Sequence, residues 1–136
     1  MKDTAILVPM FALVAWTFCV LLRMAQLRIF SGLHPVEFAF GESEQVPPRV
    51  RLANRNYMNL LELPMLFYVA GGLLYVSGAA SATAVALAWS YVGLRIVHSL
   101  IHLGRNRVMH RLAAFALSNF VLMALWIVAA LQLLGR

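Results

Sequence analysis

Apolar residues in this chain come in long unbroken runs, without the alternation of a half-buried strand. Ala5–Leu22 carries no charge, and the run continues toward Phe30. Further runs cover Tyr57–Val76, Ser81–Leu103 and Leu112–Leu134. Each approaches the ~20 residues that cross a hydrocarbon core at ~1.5 Å per residue. The pattern predicts an all-α integral membrane protein, a single domain over 1–136 with four transmembrane helices in an up-down bundle. The helices are expected at about 4–30, 48–77, 81–103 and 108–134. Lys2 gives the first run a weak basic start like that of a signal peptide. Arg23 and Arg28, however, follow where a small-residue cleavage site would stand, so a retained helix is expected.

Between the runs lie one long connection, residues 31–47, and two short ones. The long one holds Gly32, Pro35, Gly41, Pro47, Glu37, Glu42 and Glu44, the composition of a solvated loop. Overall 62% of residues are hydrophobic and 12% charged, far from the near-half and quarter of soluble domains, which excludes a disordered chain and argues against a water-soluble one. A lone Cys19 excludes an internal disulfide framework and a multi-cysteine metal site.

The net charge of +6 changes the picture only once it is mapped. Arg23, Arg28, Arg49, Arg51 and Arg55 flank the first loop, and Arg95, Arg105, Arg107 and Arg111 surround the third. Nine of eleven basic residues therefore gather at one membrane face, with Lys2 and Arg136 at the termini. The positive-inside rule puts loops one and three in the cytoplasm and both termini on the opposite side. Nucleic-acid binding is disfavoured, because no soluble basic module exists.

Topology does not explain ionisable residues within the spans, which cost about 2.5–3.5 kcal/mol each and mark functional sites by default. Arg51, Arg55, Asn59 and Glu62 are spaced by four, four and three, one stripe of the second helix. Glu62 is the single acidic residue in any span, and it calls for a cationic partner on another helix or on a ligand. Pro64 just beyond it frees a backbone carbonyl and bends the helix. Arg95, His98, His102 and Arg105 line one face of the third helix, and Arg111 opens the fourth. These groups predict a polar pocket at the cytoplasmic end, for an anionic ligand with a cationic group to meet Glu62. A hydrophobic co-substrate would reach it from the bilayer. A metal or haem on His98 and His102 is a weaker alternative, because the ligand set is incomplete.

Arg55-Asn56-Tyr57-Met58-Asn59-Leu60-Leu61-Glu62-Leu63-Pro64 resembles the second-helix signature of the MAPEG family, membrane-associated proteins of eicosanoid and glutathione metabolism. The run from Arg95 to Gly104 is similar to the family's third-helix pattern. Arg111 stands where prostaglandin E synthase-like members carry the arginine that stabilises the glutathione thiolate, and Gln26-Leu27-Arg28 resembles the end of their first helix. The likeness spans the chain and looks closest to a divergent bacterial branch, implying a bacterial inner membrane. It implies a homotrimer with glutathione sites between neighbours. Arg51, Arg55 and Arg95, with Arg28 as a further candidate, would meet the ligand's carboxylates. Asn59 and Glu62 would hold its γ-glutamyl end, with Glu62 on the ammonium, and His98 and His102 would line the site. Arg111 would face the sulfur as the catalytic group. The implied activity is glutathione transfer to lipophilic electrophiles, or reduction of lipid hydroperoxides.

Three positions depart from that pattern: His102 and Phe115 replace tyrosines, and Leu112 replaces a serine. They motivate the alternative, a non-catalytic membrane protein that binds a lipid headgroup or another thiol.

Overall fold

The computed structural model describes residues 4–39 and 41–135, so the terminal charges Lys2 and Arg136 lie outside the described residues. It is all helical over that range. After a single 3-10 turn, Thr4–Ile6, come α1 (Leu7–Ile29), α2 (Pro48–Leu61), α3 (Pro64–Val76), α4 (Ala82–Leu103) and α5 (Val108–Leu134). Helices α2 and α3 form one interrupted span, so four segments are long and apolar enough to cross a membrane: Thr4–Ile29, Pro48–Val76, Ala82–Leu103 and Val108–Leu134.

The spans pack because each has one stripe of small or apolar residues turned inward. Leu13 and Val20 of α1, Leu60 of α2, Phe67, Ala70 and Leu74 of α3, Ala84, Ala88 and Tyr91 of α4, and Leu122, Leu125 and Ala129 of α5 form one buried cluster. The alanines let backbones approach closely, which matters where lipid supplies no hydrophobic drive between helices. Outward faces carry Phe11, Phe18, Leu66, Trp89, Phe120 and Ile127, all exposed, as a lipid-facing surface requires.

Two local devices fix the end of the bundle remote from the arginines. Gly78, at φ +66°, ends α3 in a Schellman turn, with its amide on the Tyr75 carbonyl and the Ala79 amide on that of Leu74. Ser81 caps α4 by accepting from the Ala84 amide at 3.2 Å, and it also accepts from Gln132 Nε2 of α5 at 2.6 Å. The start of α4 is thereby tied to the end of α5.

The long first loop is more ordered than its composition predicts. It contains a 3-10 turn at Pro35–Phe38 and buries Val46. Arg28 at the end of α1 holds it, with Nη2 3.6 Å from Glu42 Oε1, a hydrogen bond to Asn54 Oδ1 at 3.1 Å, and the guanidinium 5.1 Å from the Phe38 ring centre.

The second span is where the backbone departs most from a regular helix. Pro64 has no amide hydrogen for the carbonyl four residues before it, and its ring opposes continuation. The helix stops at Leu61, turns through Glu62 and Leu63, and restarts with Pro64 in the first-turn position where proline is favoured. Arg95 of α4 donates from Nη2 to the Asn59 carbonyl, which in an unbroken helix would accept from the Leu63 amide. The interruption is thus bridged by a side chain from the neighbouring span.

Candidate functional site

A cavity of about 430 Å³ opens beside the interruption, within the range of small-molecule sites. Three helices build it. From α2 and its end come Arg55, Met58, Asn59 and Glu62; from α4, His98 and His102; from α5, Val108, Arg111, Leu112 and Phe115. Ionisable and amide groups make its body, and Met58, Val108 and Leu112 make an exposed apolar lip.

Helical spacing explains the convergence. Arg55 and Asn59 stand one turn apart on one face of α2, and the turn at Glu62 leaves that side chain exposed at the cavity. His98 and His102 lie one turn apart, with ring centres 5.7 Å apart and edge to face. His98 also lies 5.7 Å from the Phe115 ring of α5. Both histidines are buried, yet His102 Nδ1 and Nε2 and His98 Nδ1 have no hydrogen-bond partner among the described residues. Buried polar atoms without partners are rare enough to call for a bound molecule or water.

Arg111 donates from Nη1 to Asn106 Oδ1 at 2.7 Å. Asn106 is the single described non-glycine residue with positive φ, at 45°. Its amide bonds the Ile101 carbonyl at the end of α4. One residue therefore shapes the turn into α5 and restrains the guanidinium beyond it. Sequence reasoning missed Asn106; its only signal is an asparagine among Gly104, Arg105 and Arg107, in a turn where asparagine tolerates the left-handed region.

The other sequence-predicted residues are distributed as follows. Arg95 does not line the cavity. It is fully buried, flanked by the Tyr91 and Phe115 rings at 5.8 and 5.6 Å, and bonded to the Asn59 carbonyl. Its Nε and Nη1 have no partner among the described residues. Arg51 lines an adjoining depression with Arg55 and Asn106, so Arg55 belongs to both. Arg28 lies elsewhere in the chain, in the first-loop clamp. Beside Arg55 in the chain, buried Asn56 donates to Ser99 Oγ at 2.7 Å and cross-links α2 to α4.

A second cavity, about 350 Å³ between α1 and the second span, is lined by apolar groups and the hydroxyls of Thr17, Tyr57 and Tyr68, with no charged side chain. The chemistry therefore concentrates in the first. Among the described residues no group of three or more His, Cys, Asp or Glu could hold a metal ion. His98 and His102 remain two donors without a third.

No significant match was found among curated proteins or solved structures. The MAPEG family model matches residues 6–131, which takes in nearly all of the four spans and every residue of the cavity. With four membrane-length helices and a polar cavity set between three of them, the chain belongs to the MAPEG family.

Proposed function

We propose that this protein is a glutathione-dependent membrane enzyme, a transferase or peroxidase acting on lipophilic electrophiles or lipid hydroperoxides. One observation carries the reading: Arg55, Asn59, Glu62, His98, His102 and Arg111 share a single cavity with an apolar lip. The donor set fits glutathione. A tripeptide with two carboxylates and one ammonium matches guanidinium groups beside Glu62, an acid with no ion-pair partner within 4 Å among the described residues. The partnerless histidine nitrogens provide further polar contacts.

Glutathione would supply the nucleophilic sulfur, which adds to an electrophilic carbon, displacing a leaving group where one is present, or reduces a hydroperoxide, two glutathiones giving the alcohol, water and glutathione disulfide. The protein's part is to bind and orient. Arg55, with Arg51 one turn away, holds the carboxylate ends. Glu62 takes the ammonium, and Asn59 orients the γ-glutamyl amide. Arg111 faces the sulfur and favours its ionised form. A free thiol with pKa about 8.5 is only a few per cent ionised at neutral pH, so a fall of about two units makes most of it reactive. Met58, Val108, Leu112 and Phe115 admit the lipophilic co-substrate from the bilayer and exclude water.

The subunit works as a homotrimer in this reading. Arg55 and Glu62 are exposed in the single subunit, and lipid against such charges is costly. A neighbouring subunit closes the cavity mouth. The arginine-rich end faces the cytoplasm of a bacterial inner membrane, where glutathione is encountered.

Calorimetry in lipid tests binding, and ultraviolet absorbance of the bound thiolate tests activation. Arg111→Ala is expected to keep binding within about threefold while lowering kcat about 100-fold, the loss of one preorganised electrostatic group. Absence of glutathione binding by the intact protein overturns the proposal. Full binding with no turnover, unchanged in Arg111→Ala, favours the non-catalytic reading that His102, Leu112 and Phe115 motivate.

A further inference from the structure

At the arginine-rich end, the last two turns of α1 and the end of α4 meet the first two turns of α2 around another cavity, of about 510 Å³. It shares no lining residue with the glutathione cavity. Arg23 and Arg49 form its exposed polar rim, and half-buried Leu27, Leu52 and Leu103 form its floor. Gly104 lies at its edge.

The charge there is unmatched. Arg23 donates to Gln26 Oε1 at 2.8 Å, and among the described residues neither Arg23 nor Arg49 pairs with a carboxylate. The one ion pair within 4 Å among the described residues is Arg28–Glu42. Helix ends nearly cancel: α2 offers its positive N-terminus, starting at Pro48, and α4 its negative C-terminus, where the Leu100 and Ile101 carbonyls already accept from Gly104 and Asn106. Two whole guanidinium charges therefore decide the sign of the potential. They also decide the level in the membrane. Arg23 follows directly on the uncharged run Ala5–Leu22, so the rim lies where hydrocarbon gives way to headgroups.

We propose that this cavity is a binding site for the phosphate ester of an anionic membrane lipid. Arg23 and Arg49 grip the phosphate oxygens, for which guanidinium forks are suited. The leucine floor receives the glycerol and the first methylenes of the acyl chains. Free inorganic phosphate shares the charged chemistry but has nothing to place on Leu27, Leu52 and Leu103. The proposal is independent of glutathione, and its test reads no activity.

The test reconstitutes the full chain in bilayers of equimolar phosphatidylglycerol and phosphatidylcholine, and counts the lipids retained on release by native mass spectrometry. The expected result is a preference for phosphatidylglycerol of about tenfold, lost in the double variant Arg23→Gln/Arg49→Gln. Arg105→Gln/Arg107→Gln removes the same charge from the same face outside this cavity and is expected to keep the preference. Leu52→Trp fills the floor with the charge unchanged and is expected to lower retention. Thermal melting checks folding, and both double variants alter only exposed side chains. No preference in the wild type overturns the proposal. So does equal loss in the two double variants, which reduces the effect to general surface potential. In detergent, inorganic phosphate binding as tightly as phosphatidylglycerol overturns the lipid assignment.

Discussion

Asn106 is the residue at which backbone conformation and proposed chemistry meet. Its positive φ makes the turn into α5, and its side-chain oxygen restrains Arg111. The two roles separate by substitution. Asn106→Gly keeps the left-handed turn at no steric cost and releases the guanidinium. Asn106→Ala releases it too and adds about 1 kcal/mol of strain. Turnover is expected to fall by a similar factor, about tenfold, in both, while thermal denaturation shows a loss only in the alanine variant. Equal activity in Asn106→Gly and wild type would remove Asn106 from the positioning of Arg111. Residues such as Arg55, Asn59, Glu62, His98, His102 and Arg111 were legible because charge inside an apolar run is conspicuous. Asn106 was not, since a polar residue in a short loop stands out from nothing. Arg28 and Arg95 were legible as unusual, but their partners, Glu42, Asn54 and the Asn59 carbonyl, come from remote segments that no spacing rule connects.

Among the elements, the interrupted second span shows how far periodicity reaches. The apolar run located the span and Pro64 located the disturbance. That the disturbance is a full interruption bridged by Arg95 depends on α4 packing alongside. Two substitutions probe the parts separately. Pro64→Ala restores an amide where proline already sits comfortably at a helix start, so stability should change by no more than about 1 kcal/mol. Straightening the helix turns Glu62 away, and glutathione affinity should fall, as read by calorimetry. Arg95→Leu instead leaves the Asn59 carbonyl without its donor, a loss of about 1–3 kcal/mol for a buried group. It should lower the melting temperature and the affinity together. A Pro64→Ala protein with undiminished affinity would show that the interruption does not position Glu62. The packing partners of α4 and α5, and the Ser81–Gln132 link between them, are tertiary facts of the same kind, decided by which stripes meet.

For the whole molecule, the charge asymmetry and the cavity make linked demands on the membrane. If the arginine-rich end faces the cytoplasm, a Cys19→Ser background carrying Ser43→Cys in the first loop is labelled only from the cytoplasmic side. The same background with Thr83→Cys at the other end of the bundle is labelled only from the opposite side; the reverse pattern would invert the topology. The proposed assembly rests on a different imbalance. A lone subunit presents Arg55 and Glu62 on its surface at a level where apolar faces meet lipid, at about 2.5–3.5 kcal/mol for each charge in contact with hydrocarbon. In the proposed homotrimer the ligand lies between neighbouring subunits and touches both, so subunit contact and ligand binding would be positively coupled. Glutathione at about 100 times its dissociation constant should stabilise the assembled protein by about 2.7 kcal/mol. It should also shift dissociation of the trimer to lower protein concentration, as followed by light scattering in mild detergent. Dilution to single subunits should in turn weaken glutathione binding by the reciprocal factor, because coupling between two binding equilibria is symmetric. Single subunits that bind glutathione with undiminished affinity would break the link, and would leave the cavity complete within one chain.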